Sequence, residues 1–300
     1  MIRLVIEKAT SKNTQFEAAR AFQNYRGKES GNKMFFADYH VHSHFSGDSE
    51  MIMEHAVMRA IALGLNEIAF TDHVDYNYPD PSFFAIDYEK YQQVLGDLQR
   101  RFRTDIRIVF GVEIGYQPQV QSEVETLVGS YPFDFIILST HMADRLDFYT
   151  GDFFAGWDKK ERYRRYFECL LEAVENYQNF DVYGHLDVIE RYGTYPDRTL
   201  NPADYQDLID LILQKIIAAG NGIEVNTSGL RYGLGHMHPS PDILKRYQAL
   251  GGEILTIGSD AHSIDVLAYQ LQAARELLST LNFKYLCRYT MRKAEFVKLL

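Results

Sequence analysis

The sequence predicts an α/β protein whose parallel strands close, or nearly close, into one barrel. Three observations carry this: seven short apolar runs, helical patterns between them, and a length of 300 residues. Near-continuous apolar runs suit strands covered on both faces. Alternating strand and helix implies a parallel sheet, and seven such repeats favour a barrel. A doubly wound open sheet is the alternative, because the pattern alone does not separate the two. The length is ordinary for a single barrel and gives no reason to divide the chain.

In chain order, residues 1–33 are polar and without clear period, and are expected to be an extension, an upstream start or a poorly ordered arm before a barrel that starts near Met34. Strands are expected at 35–42, 67–70, 106–114, 133–140, 180–185, 222–228 and 253–259. Apolar spacing of three and four predicts helices over Glu50–Leu63, Tyr88–Phe102, Ser122–Gly129, Lys159–Asn176, Ala203–Ala219 and Pro241–Leu250. Gly64, Gly220 and Gly251 stand where helix C-caps fall. The connection Asp75–Asp87 is long and rich in Tyr, Phe and Pro, as loops that shape substrate sites often are. The tail YLCRYTMRKAEFVKLL reads as a hairpin turning near Arg292 and Lys293, or as a terminal helix.

Hydrophobic residues make up 46% of the chain and charged residues 24%, a balance that fills a sizeable core. No apolar run is long enough to span a membrane, and the first residues lack the pattern of a signal peptide. Cys169 and Cys287 offer no disulfide framework, so a cytoplasmic enzyme is expected. The net charge of -10 argues against general nucleic-acid binding. It also argues against an anionic substrate, unless metal ions supply the local charge.

Polar residues gather at the ends of the runs. His40 and His42 close the first; residues two apart on a strand share a face, so both imidazoles can reach one ion. His73 follows the second run, Glu113 lies near the end of the third, His141 follows the fourth and His185 closes the fifth. Asp260 and His262 follow the seventh, and Asp48 lies in the loop after the first. These are the C-terminal strand ends, where barrel active sites assemble. A lone histidine there is more often packing than ligand. Six with three carboxylates resist that reading, because unpaired buried polar groups cost several kcal/mol each, roughly. Imidazole and carboxylate without thiolate suit zinc, iron or manganese. Nine candidates are too many for one ion; two or three ions would use them, with Glu113 as the bridge. Three divalent ions bring about +6; Asp48, Glu113, Asp260 and a hydroxide lower this to roughly +2, matched to a phosphate dianion.

At these residues the sequence resembles the polymerase-and-histidinol-phosphatase (PHP) superfamily of metallophosphoesterases. The matching segments, in order, are DYHVHSHFSGDS, AFTDHVDY, GVEIGY, STH, YGHLD and GSDAH, from about Phe35 to the C-terminus. The resemblance implies a distorted (β/α)7 TIM-like barrel, one domain over 34–300, with a trinuclear metal site. It implies that His40, His42, Glu113 and Asp260 hold one ion. Asp48, His73 and His262 would hold a second, and Glu113, His141 and His185 a third. Asp48 stands where some relatives carry histidine, which leaves the second ion's identity open. Within the superfamily, DYHVHSHFSGDS, HLDVIERYG and NTSGLRYG are most similar to the stand-alone histidinol-phosphate phosphatases of histidine biosynthesis.

The activity so implied is hydrolysis of L-histidinol phosphate, by in-line attack of a hydroxide bridging two ions. Asp187 is a candidate proton donor to the leaving alkoxide. Arg191 and Arg231 are candidate phosphate clamps, since a guanidinium offers two parallel hydrogen bonds; the plain alternative is a surface arginine. Asn226 and Ser228 contact substrate or satisfy loop backbone groups. Tyr76, Tyr78, Phe83 and Phe84 stack on the substrate or pack a lid. His44 is expected beside the metals and His55 on a solvated helix face. His236 and His238 repeat the H-x-H spacing in a loop and are read as structural, and 158–166 as a solvated face. The expected partner is a small phosphoester, with no nucleic acid and no membrane, and a homo-oligomer stays open. Competing functions are a phosphoesterase for another small phosphoester or a nucleotide end, and a metal-binding module without turnover. The first, as a nuclease, would want a basic aromatic groove; the second would show missing ligands, and none is missing.

Overall fold

The first apolar run forms strand β1 (Ala37–Val41), and helix α1 (Met53–Ala62) returns the chain to β2 (Glu67–Phe70) and its short continuation β3 (His73–Val74). Helix α2 (Tyr88–Arg101) leads to β4 (Arg107–Gly115), and α3 (Gln121–Ser130) to β5 (Phe135–Ser139). A two-stranded flap, β6 (Met142–Ala143) and β7 (Leu146–Asp147), and helix α4 (Lys159–Asn176) precede β8 (Val182–Tyr183). The short α5 (Ile189–Tyr192) and the long α6 (Gln206–Ala218) precede β9 (Gly222–Asn226). Helices α7 (Ser228–Arg231) and α8 (Pro241–Ala249) lead to β10 (Leu255–Gly258), and α9 (Leu271–Thr280) to the hairpin β11 (Tyr285–Thr290) and β12 (Lys293–Lys298). This computed structural model describes residues 35–80, 84 and 86–299, so the expected extension at 1–33 and Phe83 lie outside the described residues.

The sheet order is β1-β2-β4-β5-β8-β9-β10, and every pair along it is parallel. The two ends then meet: Val41 bridges Ala261, with His42 N donating to Ala261 O at 2.9 Å and Ala261 N to His40 O at 3.3 Å. That closure decides for the barrel over the open sheet. The expected caps Gly64, Gly220 and Gly251 have φ of 80°, 77° and 90°, the left-handed region that a side chain disfavours. Helix α9 was not predicted; Leu271, Ala274 and Leu278 bury its inner face.

Two apolar layers result. The larger lies between the strands and the helices, and its members include Ile68, Val112, Leu138, Leu170 and Ile216. The smaller lies inside the barrel: Tyr39, Ala69, Val109, Phe135, Ile137 and Val182, with Cys287 and Tyr289 of the hairpin. The hairpin therefore closes the end of the barrel opposite the ligand-bearing strand ends. Its turn lies at Met291 and Arg292, one residue before the expected position, because Thr290 pairs with Lys293. Strand β1 carries one extra residue between Asp38 and Val41 relative to β2. This bulge lets consecutive residues face inward, Tyr39 into the inner apolar layer and His40 into the site above it. No helix among the described residues is long and apolar enough to cross a membrane.

Candidate metal centre

Glu113, fully buried near the end of β4, is the hub of the site. Its Oε2 lies 3.0 Å from His40 Nε2, 3.1 Å from His73 Nδ1 and 3.5 Å from His42 Nε2. Its Oε1 lies 3.0 Å from His185 Nε2 and 3.2 Å from His141 Nε2, and accepts from Ser139 Oγ at 2.7 Å. One carboxylate thus faces two groups of imidazoles, the arrangement a bridging ligand needs. Asp260 Oδ1 approaches His42 Nε2 at 3.4 Å and His40 Nε2 at 3.8 Å. Asp48 Oδ2 approaches His262 Nε2 at 2.9 Å and His73 Nε2 at 3.5 Å. The His42 ring stacks on those of His73 and His262, at 4.2 and 4.1 Å, and these two lie 5.7 Å from each other. All nine expected ligands therefore converge. Asp260 reaches its place with φ of 55°, an uncommon conformation of the kind stored at functional sites.

The electrostatics favour a cation. Burial opposes charge on His40 and His141, yet Glu224 with Glu113, and Asp75 with Glu113, outweigh it and raise both imidazoles well above the ordinary value. Burial likewise opposes charge on Glu113 and Asp260, and the surrounding histidines hold both well below the carboxylate range. Burial and the neighbouring His262 and His73 drive His42 the other way, well below its usual value. A buried neutral imidazole needs a partner for its bare nitrogen, and His42 Nε2 has no hydrogen-bond partner in the protein. The ligand atoms of His40, His42 and Glu113, of His42, His73 and His262, and of Glu113, His141 and His185 lie within 4.8 Å of one another in each set. The donor set fits divalent ions of the zinc, iron or manganese kind.

Two arginines border the cluster. Arg191 Nη1 lies 3.4 Å from Asp260 Oδ2, and its guanidinium lies over the Tyr232 ring at 3.5 Å and beside that of Tyr192 at 4.9 Å. Arg231 donates to Ser259 O at 3.2 Å and to Asp260 O at 2.9 Å. Phe84 packs against His73 with centroids 5.1 Å apart, and Tyr78 donates to Asp147 Oδ2 at 2.9 Å.

The PHP domain family model matches residues 38–228. This chain belongs to the PHP domain family. A histidinol-phosphatase of Lactococcus lactis is 34% identical over 259 residues, covering 86% of this chain and 96% of the relative. A probable histidinol-phosphatase of Clostridium acetobutylicum is 32% identical over 247 residues, covering 82% of this chain and 94% of the relative. The crystal structure of histidinol phosphate phosphatase from L. lactis, complexed with zinc, L-histidinol and phosphate, superposes with TM-score 0.80 at 32% identity, covering 88% of this chain and 100% of that one.

Other expectations for this PHP chain are redirected by the structure. Asp187 is fully buried, and its two oxygens accept from His238 Nδ1 at 2.5 Å and Ser240 N at 2.7 Å. Its contacts are those of an acceptor tying two loops together, not of an acid presented to a leaving group. Asn226 is spent within the protein: Oδ1 accepts from Ser228 N at 3.0 Å, and Nδ2 donates to Glu224 Oε2 at 3.1 Å. Ser228 is fully buried, and its Oγ has no protein partner. His44 is exposed and packs on Phe45, and His55 is exposed as expected. His236 pairs with Glu190 at 3.2 Å, which pushes it up to about 9. Within 158–166, Arg162 is buried under Phe153 and Trp157, while Arg164 and Arg165 pair with Asp207 and Asp144. Two carboxylates that face the ligand histidines were not anticipated: Asp75 Oδ1 lies 2.8 Å from His141 Nδ1, and Glu224 Oε1 lies 2.6 Å from His40 Nδ1. The available signal for Glu224 was a lone acid inside the apolar run GIEVNTS.

Proposed function

We propose that this chain hydrolyses L-histidinol phosphate to L-histidinol and phosphate, using two or three divalent ions of zinc, iron or manganese. The observation that carries the reading is the convergence of five histidines on Glu113, with Asp48, Asp260 and His262 against them, in a chain 34% identical to a histidinol-phosphatase across most of its length. His40, His42, Glu113 and Asp260 would hold one ion, Asp48, His73 and His262 a second, and Glu113, His141 and His185 a third. When bound, such ions activate a water nucleophile and neutralise charge on the phosphoryl oxygens.

The residues around them supply the rest. Arg191 presents its guanidinium at the edge of Asp260, where it can hold a phosphate oxygen. Arg231 holds the Ser259 and Asp260 carbonyls and so keeps the Asp260 ligand in its left-handed turn. Glu113 spaces the two groups of imidazoles, and Ser139 fixes its Oε1 side. Phe84, against His73, offers an aromatic face beside the cluster for the imidazole end of the substrate.

The test is phosphate release from histidinol phosphate beside a panel of phosphomonoesters and a phosphodiester, on protein reloaded with zinc, iron or manganese. The expected result is a kcat/KM for histidinol phosphate well above the panel, lost in His42→Ala and Glu113→Ala. Equal, feeble rates on every substrate would keep the metal centre and sink this assignment.

A further inference from the structure

Glu224 lies on β9, inside the barrel and beneath the ligand cluster, with none of its surface exposed. An ionised carboxylate is acceptor-only. Its Oε1 faces His40 Nδ1 at 2.6 Å, and its Oε2 accepts from His185 N at 3.2 Å and from Asn226 Nδ2 at 3.1 Å. The barrel is shaped around it. A Cβ on Gly258 would collide with Glu224 Oε1 and with the His40 side chain, and one on Gly184 would lie 3.6 Å from Glu224 Oε2 while colliding with Ser139 Oγ. Burying a carboxylate is costly unless its oxygens are used, and here both are used on residues of the metal cluster.

The tautomer follows. If Glu224 accepts from Nδ1–H, the neutral His40 ring has a bare lone pair at Nε2. That lone pair faces Glu113 Oε2 at 3.0 Å, acceptor against acceptor. Two acceptors at this distance repel unless a cation, or a second proton on the ring, lies between them. We propose that Glu224 is a positioning residue of the metal centre: it fixes His40 with Nε2 toward the ion and, through the His185 amide, sets the position of a ligand of the neighbouring ion. A ligand histidine commonly donates its other ring nitrogen in this way; here one carboxylate serves ligands of two ions. The inference rests on the metal-centre reading above.

The experiment compares metal-free wild type with Glu224→Gln, which keeps the shape and weakens the acceptor. Zinc binding is titrated against a chromophoric chelator, with bound zinc counted by elemental analysis. The expected result is an affinity about 10- to 100-fold weaker for at least one ion. The metal-free circular dichroism and melting curve should match wild type, and kcat should fall more than KM changes. Equal zinc affinities at every site would overturn the proposal, as would a Glu224→Gln defect confined to the melting curve. Failure of wild type itself to take up zinc would overturn both this inference and the metal-centre reading. If Glu224→Gln does not fold, nitrogen NMR of zinc-loaded wild type decides. A proton on His40 Nδ1 with Nε2 metal-bound supports the proposal, and the opposite tautomer overturns it.

Discussion

Arg191 is held before any substrate arrives. Its guanidinium lies over the ring of Tyr232 and near that of Tyr192, and its Nη1 leans on Asp260. Contact with an aromatic face orients the plane of the fork and lowers the cost of ordering it. Arg231, five residues beyond the end of β9, instead donates its hydrogens to backbone carbonyls. The two arginines should therefore fail differently. Arg191→Ala is expected to lower kcat/KM by about 10- to 150-fold, the ~1.5–3 kcal/mol of a hydrogen bond to a charged group, with zinc content unchanged. Arg231→Ala is expected to lose metal as well as activity, because it frees the turn that carries Asp260. Steady-state kinetics with elemental analysis on each variant separates the two. Full kcat/KM in Arg191→Ala would remove it from the phosphate site.

At the scale of elements, the hairpin β11–β12 is a plug. Tyr289, only 2% exposed, packs on Phe135 at 4.9 Å and Tyr39 at 6.4 Å, and its backbone N–H donates to Tyr39 Oη at 2.9 Å. Arg107 and Arg288 pair with Glu67, and Arg292 with Asp181, around the same barrel end. Tyr289→Ala is expected to cost about 3–5 kcal/mol, as for other large aromatic truncations, while the folded fraction keeps its kcat. Urea unfolding followed by rates on the native fraction checks this; a kcat loss as large as the stability loss would show that the plug shapes the site. Much of the barrel was legible because apolar runs and glycine caps are local signals. The bulge in β1 was not, since it depends on how β1 registers with β2. That the nine expected ligands would come together was legible because the strand ends of a parallel barrel gather on one face. Asp75 and Glu224 were hidden because an acid's role as a partner of histidine depends on a neighbour 66 or 184 residues away.

At the scale of the molecule, the proposed ligands come from β1, the loop after it, β3, β4 and the loops after β5, β8 and β10. Ions in the centre would thus tie the strand ends together across the whole ring. They would also neutralise a local excess of carboxylate in a chain of net charge -10. Linkage makes this a stability statement: a ligand at a thousand times its Kd adds about 4 kcal/mol to the native state. For a chain of this size that corresponds to a melting shift on the order of 10 °C. Chelation should therefore lower Tm by that order, and added zinc should restore it. The same protocol on Glu113→Gln should show a much smaller shift, because the carboxylate common to both groups of imidazoles is gone. The measurement is a pair of thermal melts with metal content determined before each. An unchanged Tm after verified metal removal would mean that the strand ends hold by their own hydrogen bonds, with the Val41–Ala261 bridge closing the ring unaided.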